Sequence, residues 1–140
     1  MWIFYALSAA IFASLVAIFG KLGLKNLDST LATTIRSVVM AVFLLLTSLS
    51  FGKFKDFSFG NIASKDWLLI VLAGVAGAIS WLFYFLALKN GPASAVVALD
   101  RLSLVFVAIL AFIILKEPIG GRGLLGVGLV VLGAIMVSLK

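Results

Sequence analysis

Three charged side chains stand well inside long apolar stretches of the sequence: Arg36, Asp100 and Arg101. A guanidinium and a carboxylate in such a setting can neutralise one another, hold an anionic or zwitterionic ligand, or take up a proton on the acid. Trp81 and Tyr84 add aromatic faces and Ser14 adds a hydroxyl. The chain has no histidine and no cysteine. That removes the commonest general base, disulfides, thiol chemistry and most transition-metal sites. No nucleophile–base constellation and no phosphate-binding loop of the P-loop type occurs. These residues suit binding of a small anionic or zwitterionic molecule, with no enzyme activity, no cofactor and no metal expected.

The elements that must position them are set by composition. Of 140 residues, 64% are hydrophobic and 11% are charged. Soluble domains carry roughly a quarter charged residues, and a soluble chain of this size could not hide so much apolar surface. About 20 apolar residues cross ~30 Å of hydrocarbon as a helix. Five such helices are expected at about 2–22, 29–50, 67–88, 93–115 and 121–139, so that residues 1–140 form a single all-α transmembrane domain. The breaks have local chemistry. Asp28-Ser29-Thr30 offers an N-cap, Gly91-Pro92 ends one helix and opens the next, and Glu117-Pro118 with Gly120-Gly121 makes a tight turn. The first stretch lacks a preceding Lys or Arg and is too long for a signal peptide, so it reads as a permanent helix.

Up-and-down order brings the polar residues to one level. Arg36 is seven residues past Ser29, about 10 Å deep. Asp100 and Arg101 are seven and eight residues past Ala93, on a helix running the same way. Trp81 lies seven residues before Leu88, where the third helix leaves on that side, and Ser14 and Gly133 come near the same depth. Intramembrane charges usually face a cavity or each other, and Arg36 with Asp100 is the natural ion pair. The alternative is that Arg36 snorkels to the surface, as Lys21 near its helix end would, while Asp100 and Arg101 serve helix packing. Ala73, Gly77, Trp81 and Tyr84 share one face of the third helix, suited either to a pocket wall or to a packing seam. Gly126 and Gly133 line one face of the last helix and favour a close helix contact, within the chain or between chains.

Eleven Lys and Arg stand against five Asp and Glu. In a membrane chain this excess describes loops and orientation rather than nucleic-acid binding. Lys53, Lys55, Lys65, Lys116 and Arg122 fall on the side of the N-terminus; Lys21, Lys25, Lys89 and Lys140 fall on the other. Orientation follows the Lys/Arg bias, and five against four is almost none. Either one orientation wins for other reasons, or copies insert both ways. Dual topology permits an antiparallel dimer, the symmetry of transporters built from inverted repeats. Phe51, Phe54, Phe57 and Phe59, interleaved with Lys53, Lys55 and Asp56, suit a connector at the headgroup boundary or a gate. Trp2 and Trp67 belong to an aromatic belt at that interface.

In order along the chain, several short motifs resemble one repeat of the EamA-like branch of the drug/metabolite transporter superfamily. They are Leu7-Ser8-Ala9-Ala10 with Lys21-Leu22-Gly23-Leu24, then Arg36, then Phe85-Leu86-Ala87-Leu88-Lys89 to Ala93-Ser94-Ala95. Leu115-Lys116-Glu117 and the glycine-rich last helix complete the series. The resemblance covers essentially the whole chain, and Glu117 is its most recognisable residue. Most members of the branch carry two such repeats in opposite orientation; one repeat here implies that two chains assemble. Two departures stand out. The family's proline near Leu104 is missing, which puts a kink there in question, and Asp100-Arg101 is more charged than the common pattern. The related four-helix multidrug transporters use an acid in their first helix, and this chain has none before Asp28.

The resemblance therefore implies an exporter-like secondary transporter of small metabolites such as amino acids, multi-pass in a prokaryotic inner membrane. It would work by alternating access as an antiparallel homodimer. Its expected partners are a second copy, the lipid bilayer and a small-molecule substrate. Arg36, Trp81, Tyr84, Asp100, Arg101 and Ser14 are the candidate substrate or coupling residues. The alternative is an accessory or scaffold subunit, or one half of a heterodimeric transporter.

Overall fold

A computed structural model of the protein describes residues 1–55, 57–58, 60 and 62–139. Asp56 and Phe59 of the second loop, and Lys140 of the charge balance, lie outside the described residues. Among the described residues the chain is all helical, with no strand. Five helical stretches are long and apolar enough to cross a membrane: Trp2–Gly23, Ser29–Ser50, Ser64–Asn90, Ala93–Leu115 and Gly121–Ser138. Leu125 and Phe43, 72% and 68% exposed, belong to extended apolar surfaces suited to hydrocarbon. The protein is an integral, multi-pass membrane protein.

The first helix, α1 (Trp2–Gly23), and the second, α2 (Ser29–Ser50), match the expected spans closely. The start of α2 is capped by the Asp28 carboxylate, which accepts from the Thr30 N–H at 2.9 Å and the Leu31 N–H at 3.0 Å. The end of α2 closes around Gly52, whose φ of 63° is left-handed. The Gly52 N–H donates to Leu49 O and the Lys53 N–H to Ser48 O, the paired bonds of a Schellman closure. Only glycine adopts that backbone without a Cβ penalty. The third helix, α3 (Ser64–Asn90), starts three residues before and ends two residues after the apolar span. Its backbone bonds run on through Ser64-Lys65-Asp66, where an acid favours a helix start, because a helix need not stop where the hydrocarbon does.

The fourth span, Ala93–Leu115, has the expected bounds and is locally interrupted. It consists of α4 (Ala93–Asp100), α5 (Ser103–Leu110) and a π-helical turn, Ala111–Leu115. At the join the Arg101 N–H is shared between Val97 O and Ala98 O. The N–H groups of Leu102, Leu104 and Val105 then bond to the carbonyl three residues back. The helix tightens locally into 3₁₀ geometry. The break falls just before Leu104 without a proline. Lys116 follows with φ 55°, and the N–H groups of Lys116 and Glu117 both donate to Ala111 O. The last helix, α6 (Gly121–Ser138), ends one residue short of the expected boundary.

Contacts gather the chain into two compact units. One holds residues 1–22 and the chain from residue 90 onward; there α4 packs along α6, and α5 touches α6 more lightly. The Lys21 ammonium donates to Gly91 O at 2.8 Å, tying the end of α1 to the start of α4. The other unit, residues 23–89, holds α2 and α3. Its buried side chains are Leu24, Ser29, Thr33, Phe85 and Leu88. The Lys89 ammonium donates to Leu27 O at 3.0 Å.

Candidate substrate site

The site is built where α2 faces α3 inside the second unit. Along α2, Ser29, Thr33 and Ser37 recur every four residues and so share a face. The Thr33 hydroxyl donates to Ser29 O at 2.7 Å and the Ser37 hydroxyl to Thr33 O at 2.8 Å. The Thr33 and Ser37 hydroxyls are thereby paired locally, as a low-dielectric surrounding demands. Arg36 has no such local carbonyl. Its Nη1 donates to the Met40 sulfur at 3.2 Å, one turn further on.

On α3, Trp81, Tyr84 and Phe85 stand at spacings of three and four residues, which puts their rings together. Trp81 and Tyr84 meet edge-on with centroids 5.5 Å apart, and Trp81 and Phe85 lie at 5.7 Å, tilted. The Arg36 guanidinium carbon sits 3.7 Å from the Trp81 ring centroid and 4.9 Å from that of Phe85. This is within cation–π range, and such contacts strengthen when desolvated. The Arg36 Nε is buried and, among the described residues, has no hydrogen-bond partner. Arg36 is therefore folded back over aromatic rings and is not extended as a snorkelling side chain would be.

Of the expected site residues, Arg36, Trp81 and Tyr84 come together. Ser14, Asp100 and Arg101 belong to the other unit. Ser14 is exposed and its hydroxyl donates to Ile11 O at 2.7 Å. Asp100 and Arg101 are exposed at the break of the fourth span. Gly126 and Gly133 are exposed, and a Cβ built on either meets nothing within 4 Å. Two members of the cluster were missed, Phe85 and Met40. Both were legible as the residues four beyond Trp81 and Arg36. Among the described residues no three His, Cys, Asp or Glu side chains gather as a metal site.

The membrane-boundary electrostatics are carried by Asp28. Hydrogen bonding from the Leu31 N–H, above all, holds its carboxyl below the ordinary 3.8; Thr30, Ser29 and the nearby Lys89 add to this, against a desolvation effect that raises it.

Five helices long and apolar enough to cross a membrane, with an arginine stacked on rings inside one pair of them, define an integral membrane architecture. The sequence matches the EamA-like transporter family over residues 1–139, and the chain belongs to that family. It is similar to a Sinorhizobium protein described as an uncharacterized transporter in the cobO 3′ region. The two are 39% identical over 137 residues, covering 98% of this chain and 96% of the relative. No solved structure matches.

Proposed function

We propose that the protein is a secondary transporter of small metabolites, amino acids among them, in a prokaryotic inner membrane. It works by alternating access as an antiparallel homodimer. The observation that carries the reading is Arg36, held over Trp81 inside a span with a buried, unpartnered Nε. An arginine at that depth is costly unless it has a use, and its planar fork is suited to a carboxylate. Asp100, Arg101 and Ser14, which belong to the other unit, are the remaining candidate substrate or coupling residues, and a double-mutant cycle tests Asp100 as the partner of Arg36.

The dimer is supported by the near-balanced Lys/Arg count and by the open glycine face of α6. Gly126 and Gly133 provide its close contact. The discriminating experiment uses proteoliposomes containing only this chain, loaded with unlabelled amino acids or simple organic carboxylates and assayed for exchange with the labelled compound. Exchange that needs no second protein is the expected result. No exchange by folded protein, restored by a co-reconstituted partner, would instead make the chain a scaffold or half of a heterodimer. A reporter after Lys140 is expected on both membrane faces; confinement to one face removes dual topology.

A further inference from the structure

The donors of Arg36 exceed what their surroundings use. A guanidinium carries five N–H donors. Among the described residues its one hydrogen-bond acceptor is the Met40 thioether, a weak acceptor. Stacking on Trp81 occupies a face of the guanidinium and leaves the in-plane donors, which pair best with the two oxygens of a carboxylate. The neighbouring hydroxyls of Thr33 and Ser37 already spend their protons on backbone carbonyls.

Among the described residues the same unit offers no carboxylate for a positive charge at this level. Its described acids are Asp28, about 12 Å along α2 from Arg36, and Asp66, about 22 Å along α3 from Trp81, at 1.5 Å per residue. The Asp28 carboxylate is engaged by the Thr30 and Leu31 N–H groups. A ring face can attract an organic cation, but the guanidinium covers Trp81. What remains around the donors is aromatic and thioether surface from Trp81, Tyr84, Phe85 and Met40.

We infer that this cluster binds an organic monoanion, a carboxylate on an apolar or flat body, in preference to a zwitterion or a cation. The inference rests on the transport reading and narrows it from small metabolites generally to organic monoanions, setting amino acids aside, because it names the charge of what enters the site. The carboxylate takes the in-plane donors of Arg36, and the body lies against the rings. An α-ammonium would be desolvated there without a carboxylate in the unit to receive it.

Three probes share one body and differ in charge: phenylacetate, phenylalanine and phenethylamine. A W2F/W67F chain in phosphatidylcholine nanodiscs leaves Trp81 as the sole indole, since the chain has three tryptophans. Titration calorimetry on the unsubstituted chain repeats the measurement without those changes. Phenylacetate is expected to shift Trp81 emission saturably and phenylalanine to bind at least about tenfold more weakly, the scale of a charged hydrogen bond lost. Phenethylamine should give no response. R36Q should abolish phenylacetate binding and R36K should weaken it. Equal binding of phenylalanine and phenylacetate would overturn the inference and place an acid such as Asp100 at the site. Competition by phosphatidylglycerol in the nanodisc would also overturn it, assigning Arg36 to a lipid phosphate. Selective binding without any exchange in proteoliposomes would leave the inference standing and refute the transport reading.

Discussion

The α2–α3 pair and the fourth span handle the same solvent in opposite ways. The pair is made of unbroken helices, with α2 capped by Asp28 at one end and closed by Gly52 at the other. Its one deep charge is stacked on rings. The fourth span is interrupted twice, at Arg101–Leu102 and at the π-helical turn, and ends on a left-handed lysine. Beside it lies a cleft lined by apolar side chains including Val105, Phe112, Pro118, Leu124 and Val127. Regular backbone thus accompanies the polar cluster, while irregular backbone accompanies an apolar surface. In lipid every unpaired backbone group is expensive, so the fourth span's shifted bonds mark where the chain spends regularity. Such π-turns and 3₁₀ joins often mark functional hinges.

The largest expected effect is the loss of Arg36, and a double-mutant cycle asks whether Asp100 shares it. If Arg36 and Asp100 act together, R36A and D100N should each reduce exchange at least about tenfold, the scale of a charged hydrogen bond. The double variant should fall less than the two effects combined. Additive effects in this double-mutant cycle would separate the regions functionally.

A smaller effect is expected on assembly. G133L places a large side chain on an open face of α6, so the chain should fold, with its helical content unchanged by circular dichroism. Cross-linking between copies should fall. Unchanged cross-linking would move the dimer contact away from α6. By contrast, a Cβ at Gly123 would lie 2.7 Å from the Ile119 Cγ2, so G123A should disturb the turn itself.

The two left-handed ends sharpen the comparison on stability. G52A should destabilise α2 by roughly 1 kcal/mol, the cost of a Cβ in that backbone. K116G should stabilise the fourth span by a similar, roughly 1 kcal/mol, amount. Thermal unfolding in detergent measures both. If K116G is also neutral or destabilising, the irregular end is held by contacts of the lysine side chain instead.

The smallest effect is electrostatic. Because the Asp28 pKa is depressed, its capping contribution is complete at neutral pH and is lost as pH falls through its folded value, below 3.8. D28N should therefore lower the unfolding temperature slightly at pH 7, and the gap should shrink toward pH 3. A gap independent of pH would mean that the asparagine amide loses packing rather than charge.

The spans and most of their ends could be read from residue types, because hydropathy and caps act locally. Asp28 accepts from the N–H groups that its position requires, and Arg36 lies at the level of Trp81 that residue counting assigned. The interruption at Arg101–Leu102 could not be read, since neither proline nor glycine stands there and apolar residues continue on both sides. The early start of α3 was hidden by polar residues that suit a helix N-terminus as well as a loop. Phe85 entered only through its family motif, although its four-residue spacing from Trp81 placed it on the same face.

The central claim is that Arg36, stacked on Trp81, is the substrate-binding cation of the protein. Initial exchange rates in proteoliposomes of the unsubstituted chain, R36K and R36Q test it most directly, with equal reconstitution checked by circular dichroism. The account predicts partial exchange for R36K, which keeps the charge and loses the fork, and none above empty liposomes for R36Q. Exchange by R36Q within about twofold of the unsubstituted chain, far short of the 10-fold or greater loss expected for a charged hydrogen bond, would contradict it.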